Sequence, residues 1–238
     1  MANFPFQRLQ SDLAALIERT PAGSRLISEP ELAKQLGVSR ATLREAMRTF
    51  ETQGLIRRRQ GAGTFVVGKV PVIEAGLEVL ESIETMAQRL NLAITVSDLN
   101  VEQIDAEEEY ALGLGVPAGT CLSRVRRVMR ADTRPVAYLI DILPEDSLRL
   151  NDLPAGFNGS VLDFLLQRGD DLRISRAAIS ATNAKADVAK ALEIQRGDVL
   201  LQFVSQLYTS DGRIMDYSIS YFIPGYFHFH VNRRVGGH

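Results

Sequence analysis

Hydrophobic residues in the first 67 positions recur at helical spacing in three stretches and then give way to two short β-like stretches. The first stretch, residues 5–20, has one apolar face formed by Phe6, Leu9, Leu13, Leu16 and Ile17. The next two stretches are shorter, and their apolar faces are formed by Leu32, Ala33 and Leu36 and by Leu43, Ala46, Met47 and Phe50. The pattern therefore predicts three helices followed by a hairpin of residues 55–59 and 64–67.

Polar residues and glycines mark where the second and third helices begin and end. Ser28 precedes Glu31 by three residues, which is the capping-box spacing, and Pro30 falls in the first turn, where it breaks no helical hydrogen bond. Gly37 can adopt the left-handed conformation that ends a helix, and Ser39 can cap the next one. Two helices joined by so tight a turn, followed by a basic hairpin, predict a winged helix-turn-helix.

The third helix carries the chemistry expected of a DNA-reading element. Arg40, Arg44 and Arg48 recur every four residues and share one face, and Arg can hold guanine O6 and N7 with two hydrogen bonds. Ser39 and Thr42 are short donors that suit phosphate oxygens. The alternative is a solvated helix face, but a helix cap, a glycine turn and a basic hairpin at the expected distances favour double-stranded DNA as the ligand.

The second half of the chain contains an internal repeat. Residues 108–144 and residues 186–224 each predict a short helix, a tight turn and a hairpin of two long strands. Asp211-Gly212 is a strong hairpin signal in the second copy. A helix is expected between the copies at residues 160–168, beginning at Ser160 and ending at Gly169. The two units are expected to pair into one antiparallel sheet, so the fold class is α+β.

Charge is distributed unevenly along the 238 residues. Residues 1–69 carry 11 Lys and Arg against 6 Asp and Glu, whereas the remaining residues carry 16 against 23. A basic head on an acidic body indicates that only the head meets nucleic acid.

Other features of the sequence bear on cellular location and on metal binding. No run of 18 apolar residues and no signal peptide is present, so no membrane is expected, and a single cysteine fits a reducing cytoplasm. His228 and His230 lie on one strand face but lack further ligands, so neither a metal site nor a cofactor is predicted.

The N-terminal segment, from about Phe6 to Val67, resembles the GntR superfamily of bacterial transcription regulators. The resemblance is carried by Pro21-x-Gly23-x-x-Leu26, Ser28-Glu29, Glu31-Leu32-Ala33, Val38-Ser39-Arg40-x-Thr42-Leu43-Arg44-Glu45-Ala46 and Gln60-Gly61-x-Gly63-Thr64-Phe65-Val66. It implies that Arg40 and Arg44 read bases and that Gln60 and Gly61 reach the minor groove. Pro30 stands where the family usually has an Arg that contacts DNA, and Arg25 or Lys34 could replace it.

Residues 75–233 resemble the UTRA effector domain of the HutC subfamily, which has a chorismate-lyase-like fold, binds a small metabolite and dimerises through its sheet. The resemblance implies an effector site at Ser82, Arg127, Ser175, Arg176, Asp216 and Phe222. Met129 and Leu139 stand where relatives often have Arg and Glu, and Phe222 where they have Tyr. The pocket is therefore expected to be less cationic than in sugar-phosphate sensors, which favours a smaller, partly apolar, carboxylate-like effector.

Together these features predict a homodimeric regulator, a repressor, whose binding to operator DNA is modulated by a metabolite. The expected domains are a winged helix-turn-helix at residues 1–68, a linker at 69–74 and a UTRA-like domain at 75–238. Two alternatives remain: a chorismate-lyase-like enzyme with a DNA-binding head, and a DNA-binding protein without a ligand. The first lacks a convincing general acid or base, and the second leaves a large repeat-built domain unexplained.

Overall fold

The computed structural model describes residues 4–59, 62–67 and 73–233. The chain divides into two compact units. The smaller one lies within the first 72 residues together with Pro224–His228, and the larger one comprises Ile73–Ile223 and the segment from Phe229 onward. The prediction of a linker at 69–74 falls mostly outside the described residues, and the last two residues of that range begin a strand.

The smaller unit has the predicted order of elements: α1 (Phe4–Arg19), α2 (Glu29–Gln35), α3 (Arg40–Thr52), β1 (Ile56–Arg59) and β2 (Gly63–Val66). The capping box at the start of α2 is formed, because the Ser28 side chain accepts the Glu31 N–H and Glu31 reaches back to the Ser28 N–H. Gly37 has a φ of 66°, as the turn between α2 and α3 requires. One core joins the helices and the hairpin, and its most deeply buried members are Leu13, Leu32, Leu43, Ala46, Met47 and Ile56.

The larger unit contains the remaining elements: β3 (Ile73–Gly76), α4 (Ile83–Arg89), β4 (Ile94–Asp105), α5 (Glu108–Leu114), β5 (Cys121–Ala131), β6 (Arg134–Pro144), a 3-10 turn at Leu150–Asp152, α6 (Val161–Arg168), β7 (Leu172–Asn183), α7 (Ala186–Ala191), β8 (Val199–Thr209), β9 (Ile214–Phe222) and β10 (Phe227–His230). Each half of the predicted repeat has its helix and its long hairpin. The predicted helix at residues 160–168 is present, with Ser160 at its N-cap and Gly169 at its end in the left-handed conformation.

The two repeats form one six-stranded antiparallel sheet in the order β4-β5-β6-β9-β8-β7. The halves meet where β6 pairs with β9, with Asp141 opposite Ser218 and Leu139 opposite Ser220. Each face of the sheet has its own core. One packs around Leu122, Ile142 and Tyr217, and the other around Leu143 and Leu165, the latter contributed by α6.

Side chains alternate between these faces, so neighbouring residues of one strand lie in different environments. On β5, Arg124 and Arg126 are half-buried on one face, while Arg127 on the other face is 5% exposed. This is the division of the three arginines that alternation predicts. The face that holds Arg127 also holds the cavity described below.

Candidate functional site

The first turn of α3 is fixed by the two hydroxyl residues that were predicted to contact phosphates. The Ser39 Oγ accepts the Thr42 N–H at 3.1 Å, and the Ser39 and Thr42 hydroxyls lie 2.8 Å apart. Both side chains are exposed. Each hydroxyl has one O–H to donate, and only one of the two donates in their mutual hydrogen bond, so the other keeps its hydrogen for a phosphate oxygen.

The three arginines of α3 project from its surface but differ in their exposure and in their ion pairs. Arg40 is exposed and forms no ion pair within the described part of the chain. Arg44 donates from Nε to the Glu29 Oε2 at 2.6 Å, and its side chain is 56% exposed. Arg48 lies 3.4 Å from Glu45 in a partly exposed pair. The structure thus places all three predicted residues on an accessible helix surface, and the contact at Nε leaves the terminal nitrogens of Arg44 for a base.

Glu29 was not predicted to take part in this site. It holds Arg44, and its other oxygen lies 3.7 Å from the Nε of Arg58 on β1. Arg58 also donates to the Arg44 carbonyl at 3.2 Å and pairs with Glu51. These contacts link the recognition helix to the wing. Glu29 is 15 positions from Arg44 in the sequence, and Arg58 is 14 positions from Arg44. The sequence alone therefore did not reveal these contacts, which form only when the elements pack together.

The wing is described on both sides of its tip. Gln60 and Gly61, the predicted minor-groove residues, lie outside the described residues. Gly63 has a φ of 109°, and a Cβ built there would lie 2.5 Å from the Nε of Arg25. Arg25, one of two residues that could replace the Arg missing at Pro30, therefore lies directly against the wing.

The larger unit contains a cavity of about 600 Å³. Its floor is the Arg127 face of the sheet, and its rim includes residues 75–83 and the start of α4. The central part of the floor is formed by Ser205, Ser218 and Ser220, with Ser205 directly opposite Ser218. These small side chains leave room above the sheet, and the volume is in the range of small-molecule sites, roughly 300–1,000 Å³.

One end of the cavity is apolar. Phe203, Phe222 and Phe229 form a cluster whose ring centroids are 4.6–5.2 Å apart, in tilted and edge-on arrangements. All three line the cavity, and Leu139 joins them on the floor. Aromatic side chains in such clusters provide a large apolar surface with a defined shape.

The other end is charged, and Arg127 lies at its centre. Arg127 donates from Nε to the Glu84 Oε1 at 3.1 Å and from Nη1 to the Asp141 Oδ2. The side chains of Arg127, Glu84 and Asp141 are 6%, 9% and 13% exposed. Burial opposes the charge of Arg127, but the two carboxylates more than compensate, so its pKa is raised. The second oxygen of Glu84 is buried and receives no hydrogen bond within the described residues.

Asp216 lies beside this group and is 6% exposed. Its Oδ1 accepts the Ile142 N–H at 3.2 Å, and no other hydrogen bond to it forms within the described part of the chain. Burial, and next the negative charge of Asp141, raise the pKa of Asp216 well above its ordinary value. Burial also raises the pKa of Asp141, against the opposing effect of Arg127.

Five of the six predicted effector residues line the cavity: Ser82, Arg127, Ser175, Asp216 and Phe222. Ser82 has a structural task as well, because it accepts the Thr85 N–H at 2.9 Å and donates to Asp163 at 2.7 Å. Arg176 is the sixth predicted effector residue, and the structure does not place it in this cavity. It is exposed and absent from the lining, because it points to the opposite side of β7 from Ser175.

Sequence reasoning missed Glu84, Asp141 and the serine floor. The serines had a readable signal, since Asp216, Ser218, Ser220 and Phe222 alternate along β9 and therefore share a face. Glu84 had none, because it is 43 positions from Arg127 in the sequence.

Within the described ranges, no group of three or more His, Cys, Asp and Glu side chains is placed to hold a metal ion. In the same residues, no helix is both long and apolar enough to cross a membrane.

Comparison with known proteins gives matches to both halves. Residues 6–66 match the family described as bacterial regulatory proteins, gntR family, and residues 89–228 match the UTRA domain. The HTH-type transcriptional repressor NagR of Bacillus subtilis (strain 168) is 30% identical over 198 residues, 82% of this chain and 79% of that protein. The HTH-type transcriptional regulator Rv0792c of Mycobacterium tuberculosis is 29% identical over 221 residues, 90% of this chain and 79% of that protein.

Solved structures share the fold. The crystal structure of PhnF from Mycobacterium smegmatis superposes with a TM-score of 0.64 at 22% identity, covering 96% of this chain and all of that one. The prediction of a winged helix-turn-helix joined to a UTRA-type antiparallel sheet is confirmed.

Proposed function

We propose that this chain, which belongs to the gntR family of bacterial regulatory proteins and carries a UTRA domain, is a homodimeric repressor of the HutC subfamily. Its family makes it a DNA-binding transcriptional regulator. The proposed domains are residues 1–68 for DNA and 75–238 for the effector and the dimer contact. The relatives are regulators, and we propose no enzymatic activity for this chain. Because its partner is DNA, we propose that it acts in the cytoplasm.

The observation that carries the DNA-binding proposal is the accessible arginine surface at the start of α3. Recognition helices contact bases from their N-terminal residues, and Arg40 and Arg44 occupy the first and fifth positions of α3. Glu29 supports the proposal because it holds the Arg44 side chain in one orientation, which lowers the entropy lost on contacting a base. In this proposal Ser39 and Thr42 contact phosphates and Arg48 adds a further DNA contact. Gln60 and Gly61 reach the minor groove, and Gly63 lets the wing approach the DNA backbone closely.

The proposed dimer would use an edge of the six-stranded sheet. β7 is one of the two edge strands, and most of its residues are exposed on both faces. Ile174 is 63% exposed and Ile179 is 46% exposed. An exposed edge with apolar side chains is a common site of strand pairing unless it is covered. A second copy would cover it and present two recognition helices to a near-palindromic operator.

Effector control would act through the spacing or freedom of the two heads. A ligand that favours one arrangement changes operator affinity by a coupling free energy, typically about 1–3 kcal/mol. The cavity supports this proposal because it lies in the unit to which we assign dimer formation.

Selection of duplexes from a random DNA library by the purified chain tests the proposed function. We expect enrichment of one near-palindromic sequence, and we expect light scattering to give two chains per selected duplex. Absence of any enriched sequence would contradict the DNA-reading role. A complex with one chain per duplex would contradict the dimer.

A further inference from the structure

The charged end of the cavity has an excess of negative groups. Arg127 is the only cation in a buried group with three carboxyls: Glu84, Asp141 and Asp216. Two of these carboxyls already use its N–H groups, and the third lies against them without a cation of its own. Burial of an unpaired charge is costly, so Asp216 either holds a proton or, when ionised, requires a second cation beside it.

Asp216 is the carboxyl beside which a ligand could supply a second positive charge. Its carboxyl lines the cavity, is more than nine-tenths buried, and has one oxygen that receives no hydrogen bond within the described residues. Ser218, two residues along β9, places its hydroxyl on the same floor. A donor entering the cavity would meet the Asp216 carboxylate and a serine hydroxyl together.

We propose that the cavity binds a small amphiphilic molecule whose protonated amine lies at Asp216 and whose apolar body lies toward the phenylalanine cluster. This inference rests on the proposed function, because it names the chemical class of the effector. It replaces the carboxylate-like effector that the sequence led us to expect.

An anionic ligand fits this end of the cavity less well. A carboxylate or phosphate at Arg127 would have to displace Glu84 or Asp141, or lie among three carboxyls of like charge. Like charges at such separations disfavour the ionised forms. Arg173 also lines the cavity, but it is exposed and belongs to the edge strand β7, so it can neutralise an anion only near solvent.

The other end accounts for the apolar part of the ligand. Strand β9 presents Asp216, Ser218, Ser220 and Phe222 in succession on the cavity floor. At roughly 3.4 Å per residue, the carboxyl and the phenylalanine ends of this row are about 20 Å apart along the strand. An amine attached to an extended aryl-alkyl body matches a floor that changes from charged to polar to aromatic.

Calorimetric titration of the full chain with three matched series tests the proposal. The probes are phenylalkyl amines, alcohols and carboxylates of equal chain length, from phenylhexyl to phenyldecyl, so that the longest members span most of the distance between the two ends. We expect the amine of at least one length to bind about tenfold tighter than its alcohol and its carboxylate, which is the contribution of one charge-assisted hydrogen bond. Tighter binding of the carboxylates, equal binding of all three head groups, or no binding at millimolar concentration would each overturn it.

Asp216→Asn isolates the carboxylate, because an amide keeps the shape and can still accept the Ile142 N–H. The variant is expected to lose the preference for the amine while keeping its affinity for the alcohol. Asp132→Asn is the matched control, since Asp132 is exposed in the β5–β6 turn with a φ of 55° that Asn tolerates. Retention of the amine preference by folded Asp216→Asn would refute the assignment, and the wild-type comparison of head groups stands even if this variant fails to fold.

Failure of this inference can be told apart from failure of the proposed function. If no amine is preferred but another metabolite alters operator affinity, the cation site is wrong and the regulator stands. If amines bind at Asp216 and no cavity ligand alters DNA affinity, the ligand class stands and the proposed regulation fails.

Discussion

Arg44→Ala tests whether the recognition helix reads bases. The substitution removes a guanidinium that projects from α3, and it leaves the buried face of that helix unchanged, since Leu43, Ala46 and Met47 carry the packing. It also removes the ion pair with Glu29, which keeps a second basic neighbour in Arg58 at 3.7 Å.

The cost to the fold should be small. The Arg44 side chain is 56% exposed, and partly exposed ion pairs of this kind contribute about 0–1 kcal/mol. Ala is a slightly better helix former than Arg, which offsets part of that loss. We therefore expect the free energy of unfolding to fall by less than about 1 kcal/mol.

The cost to DNA recognition should be larger. A bidentate contact between Arg and guanine contributes about 1–3 kcal/mol, or about 5- to 150-fold in affinity for each half-site. In a dimer on a palindromic site the loss doubles to about 2–6 kcal/mol, because the two half-sites are far enough apart to act independently.

Fluorescence anisotropy on the selected duplex and on a scrambled duplex measures this difference. Arg19→Ala is the matched control, because it removes one positive charge from the exposed face of α1, where Arg19 bonds only the Ala15 carbonyl among the residues that the structure describes. We expect Arg44→Ala to weaken the selected duplex far more than the scrambled one, and Arg19→Ala to change both slightly. Equal weakening of both duplexes by Arg44→Ala would refute base reading and indicate a phosphate contact.

Three further substitutions test the packing and the cavity. Leu43→Ala, at a site that is fully buried in the core of the smaller unit, should lower its unfolding free energy by about 2–5 kcal/mol in urea denaturation, and a loss below about 1 kcal/mol would contradict that core. Gly159→Ala should destabilise the larger unit by about 1–3 kcal/mol in thermal unfolding, because φ is 95° and the new Cβ would lie 2.5 Å from the Arg127 Cδ; unchanged stability would show that Arg127 can move. Asp216→Asn should be at least as stable as the wild type at pH 7. The folded pKa of Asp216 is raised, so wild-type stability falls as pH rises from about 3.9, the unfolded value, through the folded value, and the amide removes that fall. Asp141, Arg127, Glu78, Glu81 and Arg173 line the same cavity, Glu84 pairs with Arg127, and all six are unchanged in the variant. A variant less stable than the wild type at pH 7, with an unaltered pH profile, would contradict the raised pKa.

Local signals in the sequence were sufficient for most of the fold. The capping box at Ser28 and Glu31, the cap at Ser39 and the stop at Gly169 depend on residues a few positions apart. Their physics is contained within one turn of the chain, so a single sequence reveals it. The repeat predicted the long hairpins, and their pairing followed because each left an unsatisfied strand edge.

The candidate sites were less predictable because their key contacts join distant parts of the chain. Glu29 meets Arg44 only when α2 packs on α3, and Glu84 meets Arg127 only when α4 covers the sheet. The error at Arg176 is of another kind. Its neighbour Ser175 lines the cavity, and because side chains alternate along a strand, Ser175 and Arg176 cannot both lie on the same face.

The most direct test of the account is the effect of a cavity ligand on DNA binding. The affinity of the wild-type chain for the selected duplex would be measured by anisotropy with and without each compound that calorimetry shows to bind the cavity. We predict that at least one such compound shifts the dissociation constant by about 5- to 150-fold, which corresponds to a coupling of about 1–3 kcal/mol. If every compound that fills the cavity leaves the dissociation constant unchanged, the larger unit does not control the head.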